Sequence, residues 1–353
     1  MDGPIAEYLS HKGTIAMFPF RNDIWRENAR YMQDYMCGLV DIISKYETVF
    51  YFCDLRFAAS LRERYKNNIN VVVITAEYDD IWARDIGPSF IKTNGNIKCV
   101  DWSFNAWGGL KEGSYFPWDK DDAFASVVAR YFGLECNRSS LIVEGGGIIT
   151  DGVGTLFTTR SVLLNRNRNP FLKQITVQNQ LCTASCAARV IWLKQGLASD
   201  ETNGHIDNVI SFITEKDVCL AWTDDKNSPN YTRLRAIEKT LKSLKNLNGD
   251  PYIVHRIPLP PMQYMTENES NGLCKANSID RNAGDLLPAS YLNFYMINSA
   301  VLIPSFGCET DEVAFSLFKS LFRDREVIQV YSREPLLGGG GIHCLLHEVP
   351  TLE

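Results

Sequence analysis

The sequence lacks the short motifs that would place it in several familiar classes of protein. None of its ten cysteines forms a CxxC pair, no HExxH segment occurs, and no glycine-rich loop ends in Gly-Lys-Ser or Gly-Lys-Thr. The cysteines are scattered at irregular spacing, which is typical of proteins in a reduced compartment. These absences argue against a disulfide-bonded secreted domain, the common zinc motifs and a phosphate-binding loop.

Long hydrophobic runs are also absent. No stretch of 18 or more apolar residues occurs, and residues 1–14 lack the basic start and continuous apolar segment of a secretory signal. We therefore expect a cytoplasmic protein that does not associate with a membrane.

The sequence has slightly fewer basic than acidic residues. The 36 Lys and Arg residues against 42 Asp and Glu residues give a formal net charge of -6. Nucleic-acid-binding proteins normally carry a basic face, so we expect no nucleic-acid partner, and a small cation fits this balance better. The 45% apolar and 11% aromatic content predicts a folded protein with a substantial core.

No linker rich in proline, glycine or serine is long enough to separate two domains, so we expect a single domain over residues 1–353. Apolar residues at helical spacing predict a helix over residues 23–46, and residues 48–52 are typical of a buried strand. A second helix over residues 55–66 and a β-branched strand over residues 70–75 follow.

Further along the chain, a unit of strand, polar turn and strand recurs. The predicted units span residues 87–102, 141–159, 206–222 and 291–306, with turns at Asn94-Gly95, Asp151-Gly152, Glu215-Lys216 and Asn298-Ser299. Helices predicted over residues 122–132, 232–247 and 312–322 separate these units. So many two-residue turns fit a purely parallel Rossmann sheet poorly, and the pattern predicts a mixed α/β fold with hairpins.

Two polar segments interrupt otherwise apolar regions in the first half of the chain. Arg84 and Asp85 lie in residues 82–88, which fits either a site loop or a salt-bridged structural loop. Glu144 precedes three glycines, which would allow a ligand or another backbone to approach the carboxylate, or would form a bulge at the end of a strand.

Two further polar segments lie in the second half. A spacing of two on a strand would point His205 and Asp207 to the same face, as an acid/base and substrate-binding pair requires. Cys344 closely follows the four glycines of residues 338–341, which predicts a tight loop lining a site. The cysteine is then either an exposed nucleophile or a buried structural residue.

A zinc site is the alternative chemistry for these side chains. His343, Cys344 and His347, with His205 and Asp207, supply suitable nitrogen, sulfur and oxygen ligands. Adjacent residues 343 and 344 would point in opposite directions on a strand, however, so we expect no metal.

The polar segments belong to a longer series of ordered blocks, and together these resemble the agmatine deiminase family from Thr14 to Pro350. The blocks are residues 79–88, 101–109, 117–119, 144–146, 163–170, 200–207, 221–225 and 289–295, and the glycine-rich loop before Cys344. The resemblance implies a five-bladed α/β propeller with pseudo-fivefold symmetry and an active site in its central channel.

This chain departs from the family pattern at a few positions. The family usually has Asn in place of Gly341, Thr-Gln-Gln in place of residues 345–347, and Ser and His in place of Gly147 and Ile149. These departures leave the expected reactive residues in place and bear on substrate preference.

The resemblance also implies a reaction, the hydrolysis of agmatine to N-carbamoylputrescine and ammonia in polyamine (putrescine) biosynthesis, without a cofactor. Cys344 would form a covalent amidino intermediate, and Asp85 and Asp207 would hold the guanidinium. His205, oriented by Glu144, would act first as the acid and then as the base.

Substrate specificity would depend on the residues that bind the end of this small cationic guanidine substrate opposite its guanidinium group. Agmatine lacks the α-carboxylate of arginine, so the pocket should offer an acidic or aromatic group and no Arg that reaches for a carboxylate. The resemblance makes Glu201 and Trp82 the candidates for the terminal ammonium, and Gly341 a further substrate-contacting position. Glu201 could instead only support the loop that carries His205. The family also suggests a homodimer or a larger homo-oligomer.

Three rival functions remain open at this point. The chain could deiminate arginine, free or at the end of a peptide, or transfer the amidino group to an amine instead of water. It could also be a non-catalytic guanidine-binding protein. The presence of Cys344, His205, Asp85 and Asp207 argues against this last function.

Overall fold

The computed structural model describes residues 2–351, and residues 1, 352 and 353 of the predicted domain lie outside this range. The fold is mixed α/β, as the alternation of helices and strands predicts. The helices, including two single turns of 3-10 type, are Arg30–Ile43, Leu55–Arg64, Ala83–Ile86, Gly109–Glu112, Asp119–Asp122, Phe124–Phe132, Gly145–Gly147 (3-10), Arg160–Leu163, Gln174–Ser185, Ile206–Asn208 (3-10), Tyr231–Ser243, Glu267–Asn271, Thr310–Leu321, Arg333–Leu337 and Ile342–Leu345.

Five sheets of three or four strands share one topology. In each of them an antiparallel pair is followed, after a helix, by a strand that lies parallel to the second member of the pair. In spatial order the strands are Gly3–Pro4, Ser89–Thr93, Asn96–Ser103 and Cys136–Ile142; Ile148–Thr150, Thr155–Thr159 and Arg189–Leu193; Ile210–Phe212, Asp217–Trp222 and Ile253–Pro258; Tyr295–Ile297, Ala300–Ser305 and Glu326–Tyr331; and His347–Pro350, His11–Met17, Thr48–Cys53 and Val71–Thr75.

The remaining two strands, Gln263–Tyr264 and Leu286–Leu287, form a short antiparallel ribbon outside the five sheets. The last sheet joins the two ends of the chain, because His347–Pro350 pairs antiparallel with His11–Met17. No helix within residues 2–351 has the length and apolar character needed to cross a lipid bilayer.

The hydrophobic periodicity of the first helix is confirmed. Met32, Met36, Leu39, Val40 and Ile43 are all buried, because residues three and four apart share one face of a helix. The predicted start of this helix is wrong. It begins at Arg30 rather than residue 23, since residues 27–29 adopt positive φ angles that a continuous right-handed helix excludes.

The hairpin predictions succeed at two turns and fail in part at the other two. Asn94-Gly95 and Asn298-Ser299 each join two strands directly. The predicted unit over residues 141–159 is wrong at its start, because residues 141 and 142 end a strand of the preceding sheet. The unit over residues 206–222 also starts too early, since residues 206–208 form a 3-10 turn.

Candidate active site

Five polar residues lie in five different connecting segments. Each segment follows the last strand of one of the five sheets, and that strand is parallel to its neighbour in the sheet. Asp85 follows Val71–Thr75, Glu144 follows Cys136–Ile142, His205 follows Arg189–Leu193, Asn293 follows Ile253–Pro258, and Cys344 follows Glu326–Tyr331. All five are buried. The shared topology of the sheets therefore brings side chains from distant parts of the sequence to one place.

Most of the residues predicted for the site line or adjoin one narrow cavity. Its volume of about 20 Å3 is enough for little more than one water molecule. Its walls include Trp82, Asp85, Glu201, His205 and Cys344. Glu144, Asp207 and Gly341 lie just behind this wall, in contact with His205, Cys344 and Asn293 respectively.

One prediction about local structure at the site is wrong, and the exposure of Cys344, which the sequence left open, is low. His205 and Asp207 do not lie on a strand, since His205 precedes the 3-10 turn Ile206–Asn208. Cys344 is buried, with 6% of its surface exposed, and lies in the helical turn Ile342–Leu345. His343 therefore does not sit on a strand beside Cys344, and its ring contacts Asp207 and Glu7. Within residues 2–351 no group of three or more His, Cys, Asp or Glu side chains is arranged to hold a metal ion.

Asp85 and Asp207 present carboxylate oxygens close to Cys344. Asp85 accepts hydrogen bonds from Trp107 Nε1 at 2.8 Å and from the Gly146 N–H at 2.8 Å. Asp207 Oδ2 lies 3.9 Å from Cys344 Sγ, and its Oδ1 is buried with no hydrogen-bond partner among residues 2–351. An unpaired buried carboxylate oxygen is costly, and a guanidinium N–H group would satisfy it.

The site requires a glycine at position 146, two residues after Glu144. A Cβ atom at this position would lie 2.7 to 2.9 Å from His205 Nδ1, Asp207 Oδ2 and Asp85 Oδ1. These three polar side chains pack directly against the Gly146 backbone, and any larger residue would displace the site carboxylates.

His205 and Glu144 face each other with strongly shifted pKa values. Their nearest atoms, Nε2 and Oε2, are 3.6 Å apart, which is longer than a normal hydrogen bond. Burial would lower the pKa of His205, but the carboxylates of Asp85 and Glu144 raise it to about 10. Burial would likewise raise the pKa of Glu144, but Arg168 and His205 lower it to about 2. His205 is therefore protonated near neutral pH and Glu144 is ionised.

Because His205 carries a charge, its contribution to the free energy of unfolding should depend on pH. Its pKa in the folded protein, about 10, lies above the ordinary value of 6.5, so the stabilisation is present below about pH 6.5 and lost as the pH rises toward about 10. We expect the difference in the free energy of unfolding between the native protein and His205→Gln to be larger at about pH 6 than at about pH 10. Chemical denaturation at both values measures it, with the half-buried His255→Gln as the control; a difference that does not change with pH would contradict the assignment.

The surroundings of Cys344, the candidate nucleophile, disfavour its thiolate form. Burial raises the pKa of the Cys344 thiol well above its usual range, and the charges of Asp207 and Asp85 raise it further. Hydrogen bonds from the Gly341 backbone and from Asn293 oppose this increase. A bound guanidinium would neutralise the two carboxylates and so favour the thiolate.

Sequence reasoning missed several residues that hold the site together. Arg168 donates from Nε to Glu144 Oε1 at 2.6 Å, and both side chains are fully buried. His343 bridges Asp207 Oδ2 at 2.9 Å and Glu7 Oε2 at 2.8 Å. Burial and Arg84 would lower the pKa of His343, but Glu7 and Asp207 raise it to about 9. Two signals were available: Arg168 lies in the family block of residues 163–170, and His343 lies next to Cys344.

The glycine-rich loop packs tightly against the candidate substrate residues. Gly339 adopts a φ of +101°, and a Cβ atom there would lie 1.6 Å from Glu201 Oε1. A Cβ atom at Gly340 would lie 2.4 Å from the Trp82 ring, and one at Gly341 would lie 2.4 Å from Asn293 Oδ1. The predicted tight loop lining a site is therefore confirmed.

Glu201 has a cationic neighbour that sequence reasoning did not expect. Arg281 Nη2 donates to Glu201 Oε1 at 2.9 Å and to the Gly338 carbonyl oxygen at 2.7 Å. Arg281 does not line the cavity, so the expectation that no Arg reaches for a substrate carboxylate stays a prediction. Arg281 comes from the segment between the two short ribbon strands, which sequence patterns did not connect with the site.

Comparison with known proteins gives full-length matches. The profile of the Porphyromonas-type peptidyl-arginine deiminase family matches residues 4–350. The agmatine deiminase of Pseudomonas aeruginosa (strain UCBPP-PA14) is 38% identical over 355 residues, covering 98% of this chain and 95% of the relative. That of Ectopseudomonas mendocina is 38% identical over 350 residues, with the same coverage.

Solved structures agree with these matches. The agmatine deiminase of Enterococcus faecalis superimposes with a TM-score of 0.93 at 31% identity, covering 99% of this chain and 96% of that one. A cysteine-to-serine variant of the C. jejuni agmatine deiminase with substrate bound has a TM-score of 0.84 at 25% identity, covering 99% and 96%. The family resemblance is confirmed, and the chain belongs to the Porphyromonas-type peptidyl-arginine deiminase family, alongside the agmatine deiminases that match it over nearly their full length.

Proposed function

We propose that this protein is an agmatine deiminase, which hydrolyses agmatine to N-carbamoylputrescine and ammonia. The observation that carries the proposal is the convergence of Cys344, His205, Asp85 and Asp207 around one buried cavity. A nucleophile, a protonated imidazole and two carboxylates are the groups that deimination of a planar cation requires. The sequence and structural similarity to agmatine deiminases supports the same conclusion.

The five similar sheets support a propeller as the scaffold. We propose that each forms one blade of a five-bladed α/β propeller with pseudo-fivefold symmetry, and that residues 1–353 form a single domain. Three observations support this arrangement. The five sheets share one topology, and the connection after each contributes at least one residue to the site. The pairing of the two chain ends in the last sheet is what closure of a ring would require.

Binding is the first step of the proposed reaction. The guanidinium would donate hydrogen bonds to Asp85 and Asp207, which places its central carbon beside Cys344 Sγ. The substrate charge would offset the repulsion between these carboxylates and a thiolate. Binding would therefore promote the loss of the Cys344 thiol proton to solvent, which activates the nucleophile, and would also orient the carbon.

Covalent chemistry would follow in two stages. The thiolate attacks the guanidinium carbon, a carbon–sulfur bond forms, and the tetrahedral adduct collapses as one carbon–nitrogen bond breaks. His205, protonated at the start, donates its proton to the departing nitrogen, and ammonia leaves. Neutral His205 then takes a proton from water as the water attacks the amidino carbon. The carbon–sulfur bond breaks, the ureido product leaves, and the proton of the added hydroxyl passes to the sulfur, which regenerates the Cys344 thiol.

The far end of the pocket would bind the terminal ammonium of agmatine. Glu201 lines the cavity, and one of its carboxylate oxygens is held by Arg281, so the other is available for the substrate. The ring of Trp82 lines the same cavity and offers a cation-π or stacking wall. Gly341 would contribute backbone and space near the nucleophile.

The proposed reaction indicates a metabolic role for the protein. N-carbamoylputrescine is a precursor of putrescine, so the enzyme would act in polyamine biosynthesis, and we propose a cytoplasmic location. We also propose a homodimer or larger homo-oligomer, on the basis of the family resemblance.

Arginine is the second candidate substrate, because the Arg281 guanidinium lies beside Glu201, just behind the cavity wall, and would attract the α-carboxylate of arginine. The two functions are separated by measuring ureido product and ammonia with agmatine and with arginine, in the presence of a chelator. We expect turnover of agmatine and little turnover of arginine, and Glu201→Gln should raise KM for agmatine about tenfold with a smaller effect on kcat.

Other results would revise the proposal in specific ways. Preference for arginine, or for arginine at a peptide end, would overturn the assignment of the far pocket and keep the chemistry. No turnover of either compound, or its loss with chelator, would overturn the proposed deimination itself. Formation of ureido product and ammonia in equal amounts would exclude transfer of the amidino group to an amine, because that transfer forms neither of them.

A further inference from the structure

Asn293 contacts the candidate nucleophile directly. Its side chain is buried, with 2% exposure, and its Nδ2 atom lies 3.2 Å from Cys344 Sγ. The other side-chain contacts of this sulfur are with oxygen atoms, Asp207 Oδ2 at 3.9 Å and Asn293 Oδ1 at 3.7 Å. Among residues 2–351, Asn293 is therefore the side chain that presents N–H groups to the sulfur within hydrogen-bonding distance.

Two neighbouring groups fix the orientation of this amide. Asn293 Oδ1 accepts a hydrogen bond from the His343 backbone N–H at 2.9 Å, which a side-chain NH2 group could not do. Nδ2 points to Asn208 Oδ1 at 3.0 Å. Exchanging the amide oxygen and nitrogen would lose the hydrogen bond to His343, so the NH2 group faces the sulfur.

The same amide connects the two reactive segments of the site. Asn208 Nδ2 donates to Asp200 Oδ2 at 3.1 Å, and this oxygen also accepts from the His205 backbone N–H at 2.9 Å. A continuous chain of hydrogen bonds therefore runs from Cys344 through Asn293, Asn208 and Asp200 to His205. These hydrogen bonds fix the position of the segment that carries Cys344 relative to the segment that carries His205.

A buried thiolate in this position needs a donor. Burial and the charges of Asp207 and Asp85 both disfavour the anion, whereas a hydrogen bond to an ionised group is among the stronger polar contacts in proteins. A neutral amide supplies this stabilisation without adding a positive charge that would repel a guanidinium substrate.

We propose that Asn293 is a further catalytic residue, which donates a hydrogen bond from Nδ2 to the Cys344 thiolate and holds it in line with His205. This inference rests on the proposed covalent role of Cys344. The sulfur is a reacting atom, so Asn293 acts on the nucleophile itself rather than on the substrate.

The test follows the reactivity of Cys344 without any substrate. The rate of alkylation by iodoacetamide is measured across the alkaline pH range by mass spectrometry of the peptide containing Cys344. Asn293→Asp keeps the acceptor for the His343 N–H and removes the donor, while Asn293→Ala removes both. We expect alkylation at a given pH to slow about 10- to 100-fold in both variants, and most in Asn293→Asp because of its added negative charge.

Turnover gives the second measurement. We expect kcat for agmatine to fall about 10- to 100-fold in Asn293→Ala, with KM within about threefold of the native value. The exposed Asn179→Ala is the matched control and should leave both quantities unchanged. Thermal unfolding establishes that each variant is folded before its rate is interpreted.

The outcomes separate this inference from the proposed function. Folded Asn293 variants that alkylate at the native rate would overturn the role of Asn293, even if agmatine is the substrate. A change in KM alone would also overturn it and indicate a merely structural effect. Slow alkylation together with no turnover of agmatine by the native protein would support Asn293 and reject the proposed substrate.

Discussion

Replacing Cys344 with alanine is expected to lower kcat/KM for agmatine by at least about 10,000-fold. The proposed reaction has no route to the covalent intermediate without the sulfur, and no other cysteine lines the cavity within residues 2–351. Residual turnover would come only from binding and orientation by the carboxylates. The measurement is steady-state formation of ureido product, with agmatine binding followed separately by calorimetry.

The control for this loss is another cysteine outside the site. Cys274 is exposed, and Cys274→Ala should keep native turnover. We expect Cys344→Ala to retain agmatine binding, because Asp85, Asp207 and Glu201 remain in place. Substantial turnover by Cys344→Ala would contradict the covalent route and leave a binding site that activates water directly.

Replacing Arg168 with methionine is expected to destabilise the protein by about 3 to 5 kcal/mol. Arg168 and Glu144 are both fully buried, with 2.6 Å between Nε and Oε1, so the substitution leaves a carboxylate in the interior without its principal counter-ion. Arg168 also donates to Asn203 Oδ1 at 2.7 Å and to the Thr202 carbonyl oxygen at 3.1 Å. The free energy of unfolding measured with urea tests this prediction.

A nearby arginine provides a matched control. Arg166 is 86% exposed and lies 3.6 Å from Glu112, so Arg166→Met should change the free energy of unfolding by less than about 0.5 kcal/mol. Adding Glu144→Gln to Arg168→Met should recover part of the lost stability, because it removes the uncompensated charge. Equal effects of the two arginine substitutions would show that the buried pair does not hold the site together.

Local sequence chemistry accounts for the parts of the fold that were predicted correctly. Asn94 and Gly95 both adopt positive φ angles, which these residue types tolerate and a two-residue hairpin turn requires. The buried face of the helix Arg30–Ile43 follows from its apolar spacing. Both features depend on residues that are neighbours in the sequence.

The failed hairpin assignment over residues 141–159 shows the limit of such patterns. Leu141 and Ile148 both belong to apolar strand-like segments, but they lie in different sheets. The segment between them contains Glu144 and the 3-10 turn Gly145–Gly147, which redirects the chain toward the site. A pattern of apolar residues does not specify which neighbouring strand each segment will pair with.

The residues proposed to contact substrate were easier to predict than the residues that support them. Cys344, His205, Asp85 and Asp207 were predicted from reactive residue types in turn-rich segments and from the family resemblance, and the structure brings them together. Arg281 and Asn293, in contrast, gave no local signal of their partners, because each acts through a contact with a residue far away in the sequence.

The sequence by itself determined the residue types available for chemistry, the mixed α/β character and the family. These depend on composition, short-range spacing and ordered motifs. Only the tertiary structure decided that Cys344 is buried beside Asn293, that Arg168 neutralises Glu144, and that Arg281 holds Glu201. Protonation and reactivity depend on distance and burial, and both are set when the connections of five separate sheets meet.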